Sequence, residues 1–97
     1  MLIDNWLYYA GHAHAYERRV VLGDKEVMYP DFYLPSHRVY IEYWGMESDP
    51  RYRDRMAKKR AIYAKSSSNL VELVDEDIGR LDDVLPQRLL KFGIASL

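Results

Sequence analysis

Apolar and polar residues alternate with two different periods along the chain, and these periods predict its elements. Apolar side chains recur at helical spacing through residues 3–10, and Gly11 follows where a helix would end. Stretches rich in Tyr, Val and Leu at residues 15–22 and 27–34 flank a Gly-Asp turn signal. The first third of the chain therefore predicts a helix followed by two antiparallel strands.

The rest of the chain continues with alternating strands and helices. Residues 39–44 predict a strand, residues 51–65 a long helix, residues 70–74 a short buried strand and residues 81–92 a terminal helix. Strands joined by a crossover helix in one sheet run parallel, so the last strand should be parallel to the third. The order α-β-β-β-α-β-α predicts an α/β (α+β) fold, with a mixed four-stranded sheet flanked by helices and an additional C-terminal helix.

Composition restricts the class of protein. Ninety-seven residues with 48% hydrophobic content predict a single domain over residues 1–97. The chain has no cysteine, which excludes disulfide scaffolds, zinc ribbons and cysteine nucleophiles. No apolar run reaches the roughly 18 residues that span a bilayer, and the N-terminus lacks the pattern of a signal peptide. We therefore expect a cytoplasmic protein with no membrane partner.

The net charge of −1 hides an uneven distribution of charge. Residues 1–50 carry a net charge of −4, residues 51–65 a net charge of +6, and residues 66–97 a net charge of −3. The basic segment coincides with the long predicted helix. The near-neutral total therefore does not exclude a nucleic-acid partner.

Two acidic residues meet if the third strand folds back on the second through a two-residue turn at residues 36–37. Asp31 then faces Glu42, with Cβ atoms about 4.5–5.5 Å apart, and like charges so placed are destabilising unless a cation lies between them. Strand alternation also places Glu42 on one face with Tyr40 and Trp44, among large aromatic side chains. A one-residue slip of register, or two solvated surface acids, is the alternative, because Ser-His is not a strong turn signal.

A lysine lies in the apolar stripe of the long predicted helix. Four residues recur at the i, i+4, i+7 and i+11 spacing of one helix face, Tyr52, Met56, Lys59 and Tyr63. Residues at this spacing share the face that packs on the sheet. Lys59 either extends its stem along the sheet towards solvent or brings an ammonium group to the acidic pair, where it would polarise a phosphate or position a water.

The order of elements and the spacing of these residues resemble the PD-(D/E)XK nuclease superfamily. Pro30-Asp31-Phe32 on the second strand and Glu42-Tyr43-Trp44 on the third match its Pro-Asp and Glu-X-Lys signature. With Lys59 and Tyr63 on the following helix, the run is similar to small nuclease-like domains appended to helicases and found in archaeal proteins. The resemblance covers about residues 3–80 and implies a restriction-endonuclease-like α-β-β-β-α-β core.

One position departs from the family signature, because Trp44 stands where the family has lysine. Some members carry this lysine on the following helix, which is the place of Lys59. Many members also use an earlier glutamate as a metal ligand, and Glu17 is the candidate. A three-residue turn at residues 23–25 would place Glu17 across from Asp31, whereas a two-residue turn would not.

The resemblance implies hydrolysis of DNA phosphodiester bonds by a water activated by Mg²⁺ or Mn²⁺. Asp31 and Glu42 would hold the ion, and Lys59 would orient the water or stabilise the transition state. The backbone carbonyl of Tyr43 and the side chain of Glu17 are further candidate ligands. The expected DNA contacts lie on the basic helix, at Arg51, Arg53, Arg55, Lys58, Arg60 and Tyr63.

Two other functions are compatible with the sequence. A catalytically inactive module of the same fold would bind nucleic acid or a partner protein, and Trp44 in place of lysine favours it. A stand-alone structural domain would use its nine tyrosines in a homodimer interface. The resemblance also implies association with, or membership of, a helicase-like protein.

Overall fold

A computed structural model describes residues 2–23, 25–45 and 48–95. Its helices are α1 (Leu2–Tyr9), α2 (Pro50–Lys65), α3 (Asp75–Ile78) and α4 (Leu81–Leu90). Its strands are β1 (Ala15–Tyr16), β2 (Val20–Leu22), β3 (Glu26–Met28), β4 (Phe32–Leu34), β5 (Val39–Trp44) and β6 (Asn69–Val74). Strands β1, β4, β5 and β6 form a mixed sheet in that order, and β2 pairs with β3. Among the described residues, no helix is long and apolar enough to cross a membrane.

The predicted first hairpin consists of two separate paired segments, β1 with β4 and β2 with β3. The two segments have the same register, but both strands are interrupted between them. The interruption falls at Glu17, whose φ of 50° is left-handed, and at Pro30, which has no N–H to donate. Between them, the Glu17 N–H donates to the carbonyl oxygen of Asp31 at 3.1 Å. The prediction of continuous strands over residues 15–22 and 27–34 is therefore wrong, although their antiparallel pairing is confirmed.

The central strand β5 pairs antiparallel with β4 and parallel with β6, and α2 connects β5 to β6. The mixed four-stranded sheet and the parallel last strand are therefore confirmed. Leu34 faces Val39 across a tight turn, in which the Arg38 N–H donates to the carbonyl oxygen of Pro35 at 3.4 Å. This turn fixes which residues of β4 and β5 lie opposite each other.

Side chains from both faces of β5 are buried in core clusters. Val39 and Ile41 belong to a core that also contains residues of α1 and α4. Tyr40 lies in a smaller core with Tyr63 of α2 and residues of the β2–β3 hairpin. Because side chains alternate along a strand, Glu42 shares the face of Tyr40, and its exposed fraction is 0%.

A short helix, α3, lies between β6 and α4, and the sequence did not predict it. The Asp77 carboxylate accepts the Val74 N–H at 2.9 Å and two hydrogen bonds from the Arg88 guanidinium of α4, at 3.1 and 3.4 Å. Arg88 also donates to the carbonyl oxygen of Glu72 in β6. These bonds connect the end of the sheet to α4, which ends at Leu90 rather than at residue 92.

Candidate active site

The candidate site lies where β4 and β5 stop pairing. Phe32 faces Ile41 at the end of the ladder, so the next register position brings Asp31 opposite Glu42. There, side chains replace the backbone bonds: Asp31 Oδ2 accepts the Tyr43 N–H at 2.7 Å, and Glu42 Oε1 accepts the Asp31 N–H at a longer 3.4 Å. The predicted register is confirmed, and the one-residue slip is excluded.

Glu42 carries its carboxylate into the space between β5 and α2. Its Oε2 accepts hydrogen bonds from Lys59 Nζ at 2.6 Å and from the Tyr63 hydroxyl at 2.7 Å. Burial raises the pKa of Glu42 because the charged form loses its hydration, and the two donors oppose this rise only in part. Burial and the bond to Glu42 likewise raise the pKa of Tyr63, so its hydroxyl stays protonated and donates.

The predicted stripe of α2 packs on the sheet, with Met56 and Tyr63 buried and Lys59 between them. The side chain of Lys59 is 28% exposed, and its ammonium group contacts Glu42 and, at 3.5 Å, the carbonyl oxygen of Tyr29. Of the two interpretations of this lysine, the structure therefore favours the one that brings its charge to the acidic pair.

Trp44, at the position where the resembled family has lysine, is buried beside a second ion pair. Its Nε1 donates to Glu72 Oε1 at 2.8 Å, and the same carboxylate pairs with Arg60. Lys59 Nζ and Arg60 Cζ lie 5.7 and 5.5 Å from the centroid of the indole ring. Sequence reasoning missed Glu72, which the parallel β5–β6 register of the structure pairs with Glu42.

A pocket of about 280 Å³ opens onto the acidic pair, and residues of α2 form its opposite wall. Tyr52 of this wall donates its hydroxyl to the Tyr43 carbonyl oxygen at 3.2 Å and accepts the Gly45 N–H at 3.2 Å. Arg55 also lines the pocket, with its guanidinium carbon 5.8 Å from the centroid of the Tyr52 ring. The pocket thus combines acids on the sheet with cations on the helix.

Hard divalent ions take oxygen ligands, and the acids of this pocket present carboxylate oxygens. Mg²⁺ binds through one or two carboxylates, with waters and substrate phosphate completing its shell. Asp31 and Glu42 are the two acids that line this pocket, and Glu42 Oε1 accepts the Asp31 N–H at 3.4 Å. Across residues 2–23, 25–45 and 48–95, no three His, Asp or Glu side chains form a group that could hold a metal ion.

Glu17 is placed by its backbone as predicted but does not bring its carboxylate to the pair. Leu22 faces Glu26, so the turn has three residues, and Glu17 lies across from Asp31. The Glu17 side chain is exposed, and its hydrogen bond to the Tyr16 phenol raises the pKa of that phenol. Glu17 is therefore not joined to the acidic pair in a three-acid group.

The residues expected to contact DNA differ in their burial. The five basic residues among these expected contacts are exposed, Arg51, Arg53, Arg55, Lys58 and Arg60. Tyr63 is 1% exposed, and a buried ring cannot stack on a base, so its expected role as a DNA contact is wrong. Its ring belongs to the core, and its hydroxyl belongs to the site.

Comparisons of the chain with protein-family models, with curated proteins and with solved structures give no match.

Proposed function

We propose that the protein is a metal-dependent DNA endonuclease with the restriction-endonuclease-like core of the PD-(D/E)XK nucleases. The observation that carries the proposal is the convergence of Asp31, Glu42 and Lys59 in one pocket, from three separate parts of the chain. Two carboxylates and an ammonium group are the groups that hydrolysis of a phosphodiester needs when a metal ion assists it. The succession of α1, the hairpin strands, β5, α2 and β6 supports the same class.

The two acids and the lysine of the pocket have roles that follow from their positions. Asp31 and Glu42 would hold Mg²⁺ or Mn²⁺, and the carbonyl oxygen of Tyr43, which accepts the Tyr52 hydroxyl at 3.2 Å, is a further candidate ligand. Such an ion, when bound, lowers the pKa of its water and neutralises charge on the phosphate. The ammonium group of Lys59 lies 2.6 Å from Glu42 Oε2, where it would stabilise the negative charge that develops on the phosphoryl oxygens.

The exposed basic residues of α2 support DNA as the partner. Arg55 lines the pocket itself, while Arg51, Arg53 and Lys58 lie on the same helix and are exposed. Arginine and lysine side chains supply most contacts to the DNA backbone, and such contacts position the duplex without reading its sequence. A phosphate at the pocket would therefore be flanked by further phosphate-binding groups on α2.

A cleavage assay tests the proposal with supercoiled plasmid, short duplexes and branched DNA, in Mg²⁺, Mn²⁺ or EDTA. We expect cleavage with either metal and none in EDTA. Asp31→Asn and Glu42→Gln should each lower the rate by about 100-fold or more, because each removes a charged oxygen ligand. Asp83→Asn, at an exposed acid in the first turn of α4, is the matched control and should cleave at the wild-type rate.

The same assay tests the lysine. Lys59→Met keeps the apolar stem and removes the charge, so we expect a loss of about 100-fold in turnover. Lys91→Met, at an exposed lysine beyond α4, is its control. Unchanged turnover in Lys59→Met would contradict the role given to the ammonium group.

The second candidate is a catalytically inactive module of the same fold that binds nucleic acid or a partner protein. It is favoured by the two protein donors on Glu42 Oε2, Lys59 and Tyr63, which already satisfy one oxygen of the buried carboxylate. Binding of labelled DNA, measured by fluorescence anisotropy, without cleavage in any metal would support this module over the nuclease.

A further inference from the structure

We infer that Tyr63 is a positioning residue for Glu42: its hydroxyl fixes the carboxylate so that Oε1 is directed towards Asp31. The inference rests on the proposed function, because it gives Tyr63 a part in holding the metal ion of that site. It concerns an aromatic side chain whose expected place was on the DNA-binding surface.

The donor and the acceptor of the Tyr63–Glu42 hydrogen bond are both held in place by burial. Tyr63 is 1% exposed and Glu42 is 0% exposed, and the phenol oxygen lies 2.7 Å from Glu42 Oε2. The Tyr63 ring packs against Tyr40, with ring centroids 5.5 Å apart. A close-packed ring with two rotatable bonds has little freedom to follow a moving carboxylate.

Two donors share Oε2, and they differ in rigidity. Lys59 holds this oxygen with a flexible stem of four rotatable bonds, and its side chain is 28% exposed. Tyr63 holds the same oxygen from within the core, so the phenol is the donor that sets the carboxylate plane. With Oε2 fixed on the α2 side, Oε1 lies on the side of Asp31, whose N–H it accepts at 3.4 Å.

Hydrogen bonds of this kind influence metal binding indirectly. Removal of a partner that orients a ligating carboxylate typically lowers metal affinity or activity by about 10–100-fold. A tyrosine that only fills the core would give a different result, because removal of its hydroxyl would lower stability without a selective effect on the metal site.

Calorimetric titration with Mn²⁺ separates the two roles in wild type, Tyr63→Phe and Tyr40→Phe. Tyr40 is the matched control, since it is 8% exposed and packs against Tyr63 in the same core cluster. We expect Tyr63→Phe to raise the Kd for Mn²⁺ by about 10-fold or more and Tyr40→Phe to leave it unchanged. Circular dichroism at the titration temperature establishes that each variant is folded.

The outcomes distinguish this inference from the proposed function. If wild type binds no Mn²⁺, the metal site of the proposed function fails and the positioning role fails with it. If wild type binds Mn²⁺ and Tyr63→Phe binds it equally well or more tightly, only the positioning role is overturned.

A second measurement uses the unaltered protein, so it can overturn the inference even if Tyr63→Phe does not fold. The hydroxyl proton of Tyr63 should give an NMR resonance protected from exchange with water, and this protection should persist after Mg²⁺ is added. Loss of the protection on Mg²⁺ addition would show that the phenol releases Glu42 when the ion binds, which would overturn the inference.

Discussion

Glu42 is buried because the strand that holds it has core side chains on both of its faces. An isolated carboxylate in such a place would be strongly disfavoured, and Lys59 and Tyr63 supply the hydrogen bonds that allow it to remain there. Both donors come from one face of α2, four residues apart, so a single helix satisfies the charge. The most buried group of the candidate site is therefore also the group with the most protein partners on one oxygen.

The raised pKa of Glu42 predicts a pH dependence of stability. Because this pKa lies above the ordinary value of 4.5, the folded state binds the proton more tightly than the unfolded chain does. The contribution of Glu42 to stability is therefore complete below that ordinary value and is lost as the pH rises through the folded pKa. Glu42→Gln has no such proton to lose, so we expect its free energy of unfolding to fall less than that of wild type as the pH rises above 4.5.

Urea denaturation at several pH values measures this difference. Glu76→Gln, which changes an exposed acid in the short helix α3, should give a pH profile parallel to that of wild type. A wild-type profile parallel to that of Glu42→Gln would mean that burial does not raise the pKa of Glu42.

Among the elements, α3 connects the end of the sheet to α4 through one acid. Burial alone would raise the pKa of Asp77, but the Val74 N–H and the Arg88 guanidinium outweigh it and lower the pKa below its ordinary value of 3.8. The stabilisation is therefore present above that value and is lost as the pH falls through the folded pKa. We expect Asp77→Asn to cost about 1 kcal/mol at pH 7, an amount reduced by the partial exposure of Arg88.

Thermal or urea unfolding of Asp77→Asn at pH 7 and again at about pH 2.5 checks this expectation, since the difference from wild type should shrink as Asp77 is protonated. Glu76→Gln, one residue away, is the control and should differ little from wild type at either pH. A loss in Asp77→Asn that is equally large in acid would point to altered packing instead of the charged hydrogen bonds.

Periodicity was sufficient to predict the elements that carry the site, but not the places where pairing stops. The apolar stripe of α2 and the alternation along β5 are local patterns, and both predictions are confirmed. The break was missed because the composition on either side is that of a strand and outweighed Pro30, which is itself a sequence signal for a break. The left-handed backbone of Glu17 leaves no signal in the residue type. Helix α3 was missed because its four residues are too few to show a period.

Some contacts of the candidate site could likewise be predicted from the sequence, and others could not. Asp31 and Glu42 could be paired from the sequence, because one short turn fixes their register. The bond from Tyr63 to Glu42 and the pairing of Arg60 with Glu72 depend on how α2 is rotated and seated on the sheet. Residue spacing gives the face of a helix but not its position along the neighbouring strand, so these contacts required the structure.

For the whole molecule, the separation of charge between α2 and the rest of the chain predicts a strong dependence of DNA binding on salt. Replacing Arg51 and Lys58 together with Gln should reduce the slope of log K against log salt by about 0.9 per lost phosphate contact. The control replaces Arg80 and Lys91 with Gln, which removes the same charge. These two residues are exposed near the two ends of α4. Anisotropy of labelled duplex DNA in EDTA, where no cleavage is expected, measures both slopes.

Equal slopes for these two double variants would contradict α2 as the DNA-binding surface. The affinity would then depend on the total charge of the protein and not on where that charge lies.

The gene for this protein should tolerate substitutions in the turn between β4 and β5 better than insertions there. The turn places Asp31 across from Glu42, and a shift of one residue in strand register moves every side chain to the opposite face of the sheet. One inserted codon between Leu34 and Val39 would therefore turn Glu42 away from Lys59 without altering any residue of the pocket. Substitutions that preserve the length of this turn would leave the acidic pair in place.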